Sequence, residues 1–384
     1  MSSTEQEIIQ DPKLAMRSYI QRVATGPEYS KDISFEEARD AMTHILNTSA
    51  DPVQAGIFLI ALRMKRETLD ENGGCLQAII DASNIVTADV DHVIDVADPY
   101  DGYTRGTPVS PFIPAVLAAC GLPAVSHGAE AVGPKYGATH RKVLRAAGIN
   151  VDYDMQQALA QINNPESAWA YIDQKTICPS LHNLIPLRTQ IVKRPVITTV
   201  EVLIGPVRGK KSTTLMTGYV HKPYPPVYTH LARISGFDSA VLVRGVEGGV
   251  IPSLKQESKY FEYKGANDLT EVEIHPDHLN IQQDVRAVPL PELNATKSAG
   301  DASGSGNEVA AKIDTDQLAE EAAKVGVAAL QGEQGPARDS LIYSTAIMLT
   351  HMGVEKTIQA SAEIVRTVID SGKAFAHFQK NQLH

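Results

Sequence analysis

The hydrophobic period of this chain changes near residue 90, and that change restricts what it can fold into. Before it, apolar residues recur at helical spacing behind unusually clear start signals. Ser34 and Glu37 form a capping box ahead of Ala38, Ala41, Met42 and Ile45. Asp51-Pro52-Val53-Gln54 opens a second helix, with proline at its first position, Gln54 reaching back to the cap, and a face of Ala55, Phe58, Leu59 and Leu62. Thr68 with Glu71 starts a third that runs through Leu76, Ile79 and Ile80. Short helices joined by tight turns predict a small bundle, and its apolar surface is also suited to pairing with a second copy.

After residue 90 the period becomes that of strands alternating with helices. His92–Ala97 reads as a short buried strand and Phe112–Cys120 as a helix that stops at Gly121. Pro123–Ser126 reads as a strand, Gly128–Gly137 as a glycine-rich turn, and Thr139–Gly148 as a helix. Residues 154–172 are predicted helical. Val196–Ile204, Leu215–Val220 and Ala240–Val243 are predicted strands because of their β-branched content. Helices resume at Asp314; one opens at Pro336 and stops at Gly353, and the next ends at Ser371-Gly372. The fold class that follows is α/β, a small N-terminal helical bundle plus a larger domain with a mostly parallel central sheet. Residues 1–88 form the helical, dimerising domain, joined by helices from about 154–190. Residues 92–384 form the α/β domain, with a flexible polar loop near 294–308.

Between the first strand and its helix lies Asp98-Pro99-Tyr100-Asp101-Gly102-Tyr103-Thr104-Arg105-Gly106-Thr107-Pro108. A loop in that place is where α/β proteins bind ligands. Its composition does not suit a diphosphate, which needs glycines so that backbone N–H groups can approach the anion. Asp98 and Asp101 have the spacing of oxygen ligands for a hard cation, and equally that of turn-fixing aspartates. Gly205-Pro206-Val207-Arg208-Gly209-Lys210-Lys211-Ser212 has the wrong glycine spacing and one lysine too many for a nucleotide P-loop. Tyr219, Tyr224 and Tyr228 among prolines suit stacking on a base or sugar, or simply packing a loop.

Charge is unevenly spread. The chain carries −10 overall, yet Gly121–Lys264 holds 17 Lys and Arg against 10 Asp and Glu. That imbalance fits a basic cleft for an anion on an acidic body. Cys75, Cys120 and Cys178 are too few and scattered for a disulfide framework or a metal site. No apolar run approaches the length of a membrane span, and the polar N-terminus has no signal-peptide core, so the expected compartment is the cytoplasm.

Several stretches together resemble the anthranilate phosphoribosyltransferases, over nearly the whole chain. They include Ala55–Lys65 with Glu67-Thr68, Ser126-His127-Gly128, and Lys135-Tyr136-Gly137 with Val143–Gly148. Pro186-Leu187-Arg188, Leu203–Pro206, Gly335–Asp339 and Ile369–Ala374 continue the likeness. The resemblance implies a site in the cleft between the two domains, a homodimer through the helices, and magnesium (Mg2+) if a phosphorylated donor is bound. Substrate contacts are expected from Asp98, Tyr100, Asp101 and Gly102 of a rebuilt loop, and from Ser110, His127, Gly128, Lys135 and Arg188. The family's diphosphate loop, Gly-Thr-Gly-Gly-Asp, falls on Asp98–Gly102, where no position keeps the family residue. Of its Asn-x-Ser-Thr, only Ser110 remains, and of its Lys-His-Gly-Asn, only His127-Gly128. Its magnesium-binding Asp-Glu pair falls near Val250-Ile251. Arg188 matches the arginine that contacts anthranilate.

Two functions follow from different classes. One is a glycosyl or phosphoribosyl transferase with a rebuilt donor loop that takes a small phosphorylated or sugar ligand, and not the anthranilate reaction. For His127, a ligand contact and a structural role are equally compatible with its place after a strand. The other is a nucleic-acid-binding descendant, since Tyr100-Asp101-Gly102 is similar to a divergent branch of the family associated with DNA. Its phosphate contacts would come from Lys135, Arg141, Lys142, Arg145, Arg208, Lys210 and Lys211.

Overall fold

A computed structural model describes residues 9–26, 28–293 and 313–383; the polar stretch near 294–308 lies outside the described residues. The described chain opens with the helices α1 (Pro12–Val23), α2 (Phe35–Leu46), α3 (Pro52–Lys65) and α4 (Leu69–Asp81). Both expected capping boxes are formed, Ser34 with Glu37 and Thr68 with Glu71. At α3 the cap is Asp51 alone, which accepts from Val53 N; Gln54 Oε1 is buried without a partner among the described residues. Helix 185–191 joins this bundle, with Leu187 and Ile191 facing Gly56 of α3.

The strands that follow among the described residues are β1 (Val86–Thr87), β2 (His92–Ala97), β3 (Ala124–Gly128), β4 (Trp169–Asp173), β5 (Val207–Arg208), β6 (Ser212–Gly218), β7 (Ser239–Val243), β8 (Ser258–Lys264) and β9 (Thr270–Ile274). β1 and β5 pair with each other, and the others form one sheet in the order β4-β3-β2-β6-β7-β8-β9. Strands β4 to β7 in that order are parallel, and β8 and β9 run antiparallel at one edge. From β2 the chain steps one way to β3 and β4, then returns to place β6 on the other side of β2. The carboxyl ends of β2 and β6 therefore flank the point where strand order reverses, the crevice in which open α/β sheets bind ligands. The loops after β2, β3, β6 and β7 all open there.

Two expected elements are different. Residues 154–172 hold a helix only over Met155–Asn163, and Trp169–Asp173 is strand β4, buried on both faces. A strand covered on both sides carries no alternation, so its run merged with the helical pattern before it. The helix itself packs on β4. Val196–Ile204 is not a strand but two short helical turns, Ile197–Val200 and Glu201–Leu203, packed against α4. β-Branched composition there reflects burial between the bundle and the sheet, which overrides strand propensity.

Candidate functional site

The loop after β2 is held by an internal carboxylate. Asp98 is buried and accepts from Tyr103 Oη (2.7 Å), His140 Nε2 (2.9 Å), Val250 N (3.0 Å to the other oxygen) and Ser110 Oγ. Burial pushes the Asp98 carboxyl up, but donation from His140, Ser110 and Tyr103 outweighs it and holds the group below the ordinary aspartate value. Ser110 and Asp98 are thus engaged with each other. Close approach of backbones keeps this knot small: a Cβ on Gly249 would lie 1.7 Å from Tyr103 Oη. Gly102 has φ +72°, and a Cβ there would meet Ala138 O at 2.7 Å.

A second buried chain runs through His127. Its Nε2 lies 2.8 Å from Asp95 Oδ1 and its Nδ1 lies 2.6 Å from the Tyr100 hydroxyl. The carboxylate can only accept, so Nε2 carries the proton, and in the neutral ring Tyr100 donates to Nδ1. Both ring nitrogens are committed inside the protein, so His127 positions Tyr100 and does not touch the cleft. Tyr100 lines the cleft wall beside Pro99 and Asp101. Gly128 ends β3 beneath it, in register with Asp173.

Arg188 is likewise spent. Its two terminal nitrogens meet the two Glu201 oxygens at 2.6 and 2.7 Å, both side chains are 1% exposed, and Gln174 Nε2 donates to the same carboxylate at 3.0 Å. Arg188, expected to meet the acceptor, is neutralised by Glu201, and the residues lining the cleft do not include it.

The cleft has two connected parts. An inner cavity of about 240 Å³ is lined by Tyr100, Tyr219, Tyr224 and Tyr228, with Arg63 reaching in from α3. An outer cavity of about 1280 Å³ carries Arg105, Lys135, Arg194, Arg244 and Arg286 against Glu247 and Glu257. Lys135, Arg194, His221 and Glu247 border both. The three tyrosines singled out in the sequence are thus brought to one wall. Asp101 is buried and pairs with Arg194 (2.5 Å) and Lys135 (3.3 Å), and Lys135 also donates to Gly102 O at 2.7 Å.

The remaining cations expected to meet nucleic acid do not assemble. Arg141 is buried and bonds Glu130, Asp152 and Asp173, Lys142 pairs with Asp316, and Arg145 with Glu130. Arg208 stacks on Phe237 and donates to the Ile204 and Ser235 carbonyls. Lys210 and Lys211 pair with Asp89 and Asp91 ahead of β6, at the amino edge of the sheet and away from Lys135. Each charge is met locally, so only Lys135 of that set faces the cleft.

The carboxylates do not fit the family's magnesium. Asp98 is saturated by protein donors, Asp101 is held by two cations, and no three His, Cys, Asp or Glu among the described residues are grouped to hold a metal ion.

Residues 17–83 match the model of the glycosyl transferase family, helical bundle domain. Over those residues the chain carries the helical bundle domain of that glycosyl transferase family. Its similarity to curated relatives extends further: the anthranilate phosphoribosyltransferase of Rhodopseudomonas palustris (strain CGA009) is 27% identical, covering 95% of this chain and 96% of the relative. Among solved structures, the anthranilate phosphoribosyltransferase of Thermus thermophilus superposes with a TM-score of 0.71 at 17% identity, covering 96% of this chain and 98% of that one. The enzyme of Saccharomyces cerevisiae in complex with PRPP and Mg gives 0.71 at 15% identity, covering 95% and 96%. The likeness of fold therefore spans both the bundle and the sheet.

Residues that sequence reasoning passed over make up much of the site: Asp95, His140, Glu201 and Glu247 as internal partners, and Arg63, Arg105, Arg194, Arg244 and Arg286 on the walls. A carboxylate within a short apolar strand (Asp95) and a lone acid in an apolar run (Glu201) were available signals, because buried charges require partners.

Proposed function

We propose that this glycosyl transferase-family protein binds a small phosphorylated sugar in the cleft at the strand-order reversal, and that it is not an anthranilate phosphoribosyltransferase. The observation that carries the reading is the cleft's composition: Arg105, Lys135, Arg194, Arg244 and Arg286 on the outer wall, and Tyr100, Tyr219, Tyr224 and Tyr228 on the inner one. Cations of this kind hold a phosphate, and tyrosine faces take the apolar side of a sugar or ring. PRPP and Mg occupy the Saccharomyces cerevisiae neighbour, but here the glycine cradle is replaced and the carboxylates are already bonded. Any transfer would therefore rely on positioning and cationic stabilisation by Arg194, Lys135 and their neighbours. A pentosyl group is the transferred unit most consistent with the fold.

Calorimetric titration with ribose 5-phosphate and with PRPP, each with and without magnesium, tests this. The expected result is binding that magnesium leaves unchanged and Arg194→Ala weakens. No heat at millimolar ligand overturns the phosphorylated-sugar reading, and magnesium-dependent PRPP binding overturns the rebuilt loop. If single-stranded DNA displaces ribose 5-phosphate with steep salt dependence, the nucleic-acid reading replaces it, drawing on these cleft cations.

The protein is also proposed to pair with a second copy through its bundle. Helix α3 buries Phe58, Leu59 and Leu62 on one side yet exposes Val53, Ile57 and Met64 on another. A helix apolar on both faces is suited to burial on both.

A further inference from the structure

The loop after β2 presents consecutive backbone donors, and the protein fills them with one of its own carboxylates. Arg105 N donates to Glu247 Oε1 at 2.7 Å and Thr104 N to Glu247 Oε2 at 3.2 Å. Lys135 Nζ lies 3.9 Å from the same group. Two main-chain N–H groups and an ammonium converging on two oxygens of one anion is the chemistry of a phosphate clasp. Glu247 sits where the inner and outer cavities meet, and its side chain is 7% exposed.

The backbone at Glu247 is unusual for its side chain. It has φ +55° and ψ +13°, the left-handed region, in a segment that runs from Gly245 to Gly249. For a residue with a Cβ this conformation is disfavoured, so the surrounding contacts hold it there. Arg105, Arg194, Arg244 and Arg286 leave the surrounding wall positive. One carboxylate brings a single charge to donors that a phosphate would satisfy with up to two.

From this geometry we infer that Thr104 N–H, Arg105 N–H and Lys135 form a phosphate subsite, with Glu247 as an internal occupant that the ligand's phosphate displaces. This rests on the reading of the cleft as a site for a phosphorylated ligand. Phosphate binding then competes with the Glu247 contact, and each weakens the other by the same factor.

The test is titration of the full chain and of Glu247→Gln and Glu247→Ala with ribose 5-phosphate and with inorganic phosphate. Chemical shifts of the Thr104 and Arg105 amides are followed in parallel. The expected result is that both variants bind about tenfold tighter than the parent, within the usual range of site coupling, and that phosphate moves both amide signals. Adding Lys135→Met to the Gln variant should reverse the gain. If the parent binds and the variants bind equally or more weakly, with unmoved amides, Glu247 is a loop fastener and the displacement idea is overturned while the cleft reading stands. If neither parent nor variants bind either phosphate, both fall. Should the Ala variant fail to fold, the Gln variant, which keeps shape and removes charge, decides between the same outcomes.

Discussion

Replacing Arg188 distinguishes a residue that binds ligand from one that holds the fold. Its guanidinium and the Glu201 carboxylate are each 1% exposed and joined by bonds of 2.6 and 2.7 Å. Arg188→Met keeps the aliphatic stem and removes only the charge and its donors. Glu201 is then left buried with the single Gln174 amide at 3.0 Å. Breaking one side of a buried ion pair costs about 3–5 kcal/mol, because the remaining charge is desolvated and uncompensated. Natural domains have roughly 5–15 kcal/mol of stability in total, so the change should be plain in urea denaturation followed by circular dichroism. The double variant Arg188→Met with Glu201→Leu should recover most of the loss, since a well-packed apolar pair replaces a buried ion pair at little cost. Ligand affinity, measured where the variants are folded, should change little. A loss below about 1 kcal/mol, on the scale of exposed pairs, together with a large fall in affinity, would refute this reasoning and return Arg188 to the binding site.

Further outcomes follow from other contacts. Asp98 is held below the ordinary aspartate value against the opposing effect of burial. A lowered carboxyl contributes stability that is fully present above the unfolded-state pKa of about 4 and is lost as pH falls through the folded value. Asp98→Asn should therefore destabilise the protein near neutrality and flatten the acid limb of its stability curve. An acid limb that is unchanged would show that Asp98 does not carry this linkage. On the bundle, Met64→Glu combined with Ile57→Glu should convert a dimer to a monomer in light scattering without lowering the thermal midpoint of the isolated subunit. A monomeric parent protein would end the pairing proposal.

The fold was legible wherever the determining contacts lie close along the chain. Ser34 and Glu37, or Thr68 and Glu71, close their caps within one turn, and both boxes are present. β2, β6 and β7 were readable as β-branched apolar runs. Val196–Ile204 was not, because its β-branched side chains are buried against α4 in short helical turns. Trp169–Asp173 was hidden in the same way, by burial on both faces. The position of the loop after β2 was legible, and Pro99, Tyr100 and Asp101 line the cleft. The site was not legible in its roles: Ser110, His127 and Arg188 stood out in the sequence, yet each is bonded inward.

By itself, the sequence determined the helical bundle, the strand–helix alternation, and the composition of the loop Asp98–Pro108, where glycine stands at 102 and 106. Those depend on residue type and short-range spacing. Only the tertiary structure decided which charges are spent and which are free. Asp98 meets Val250 across 152 positions, and Glu247 meets Arg105 across 142. The physical reason is that an interior charge must find a partner somewhere. Composition announces the need, but only the folded chain determines which distant group answers it.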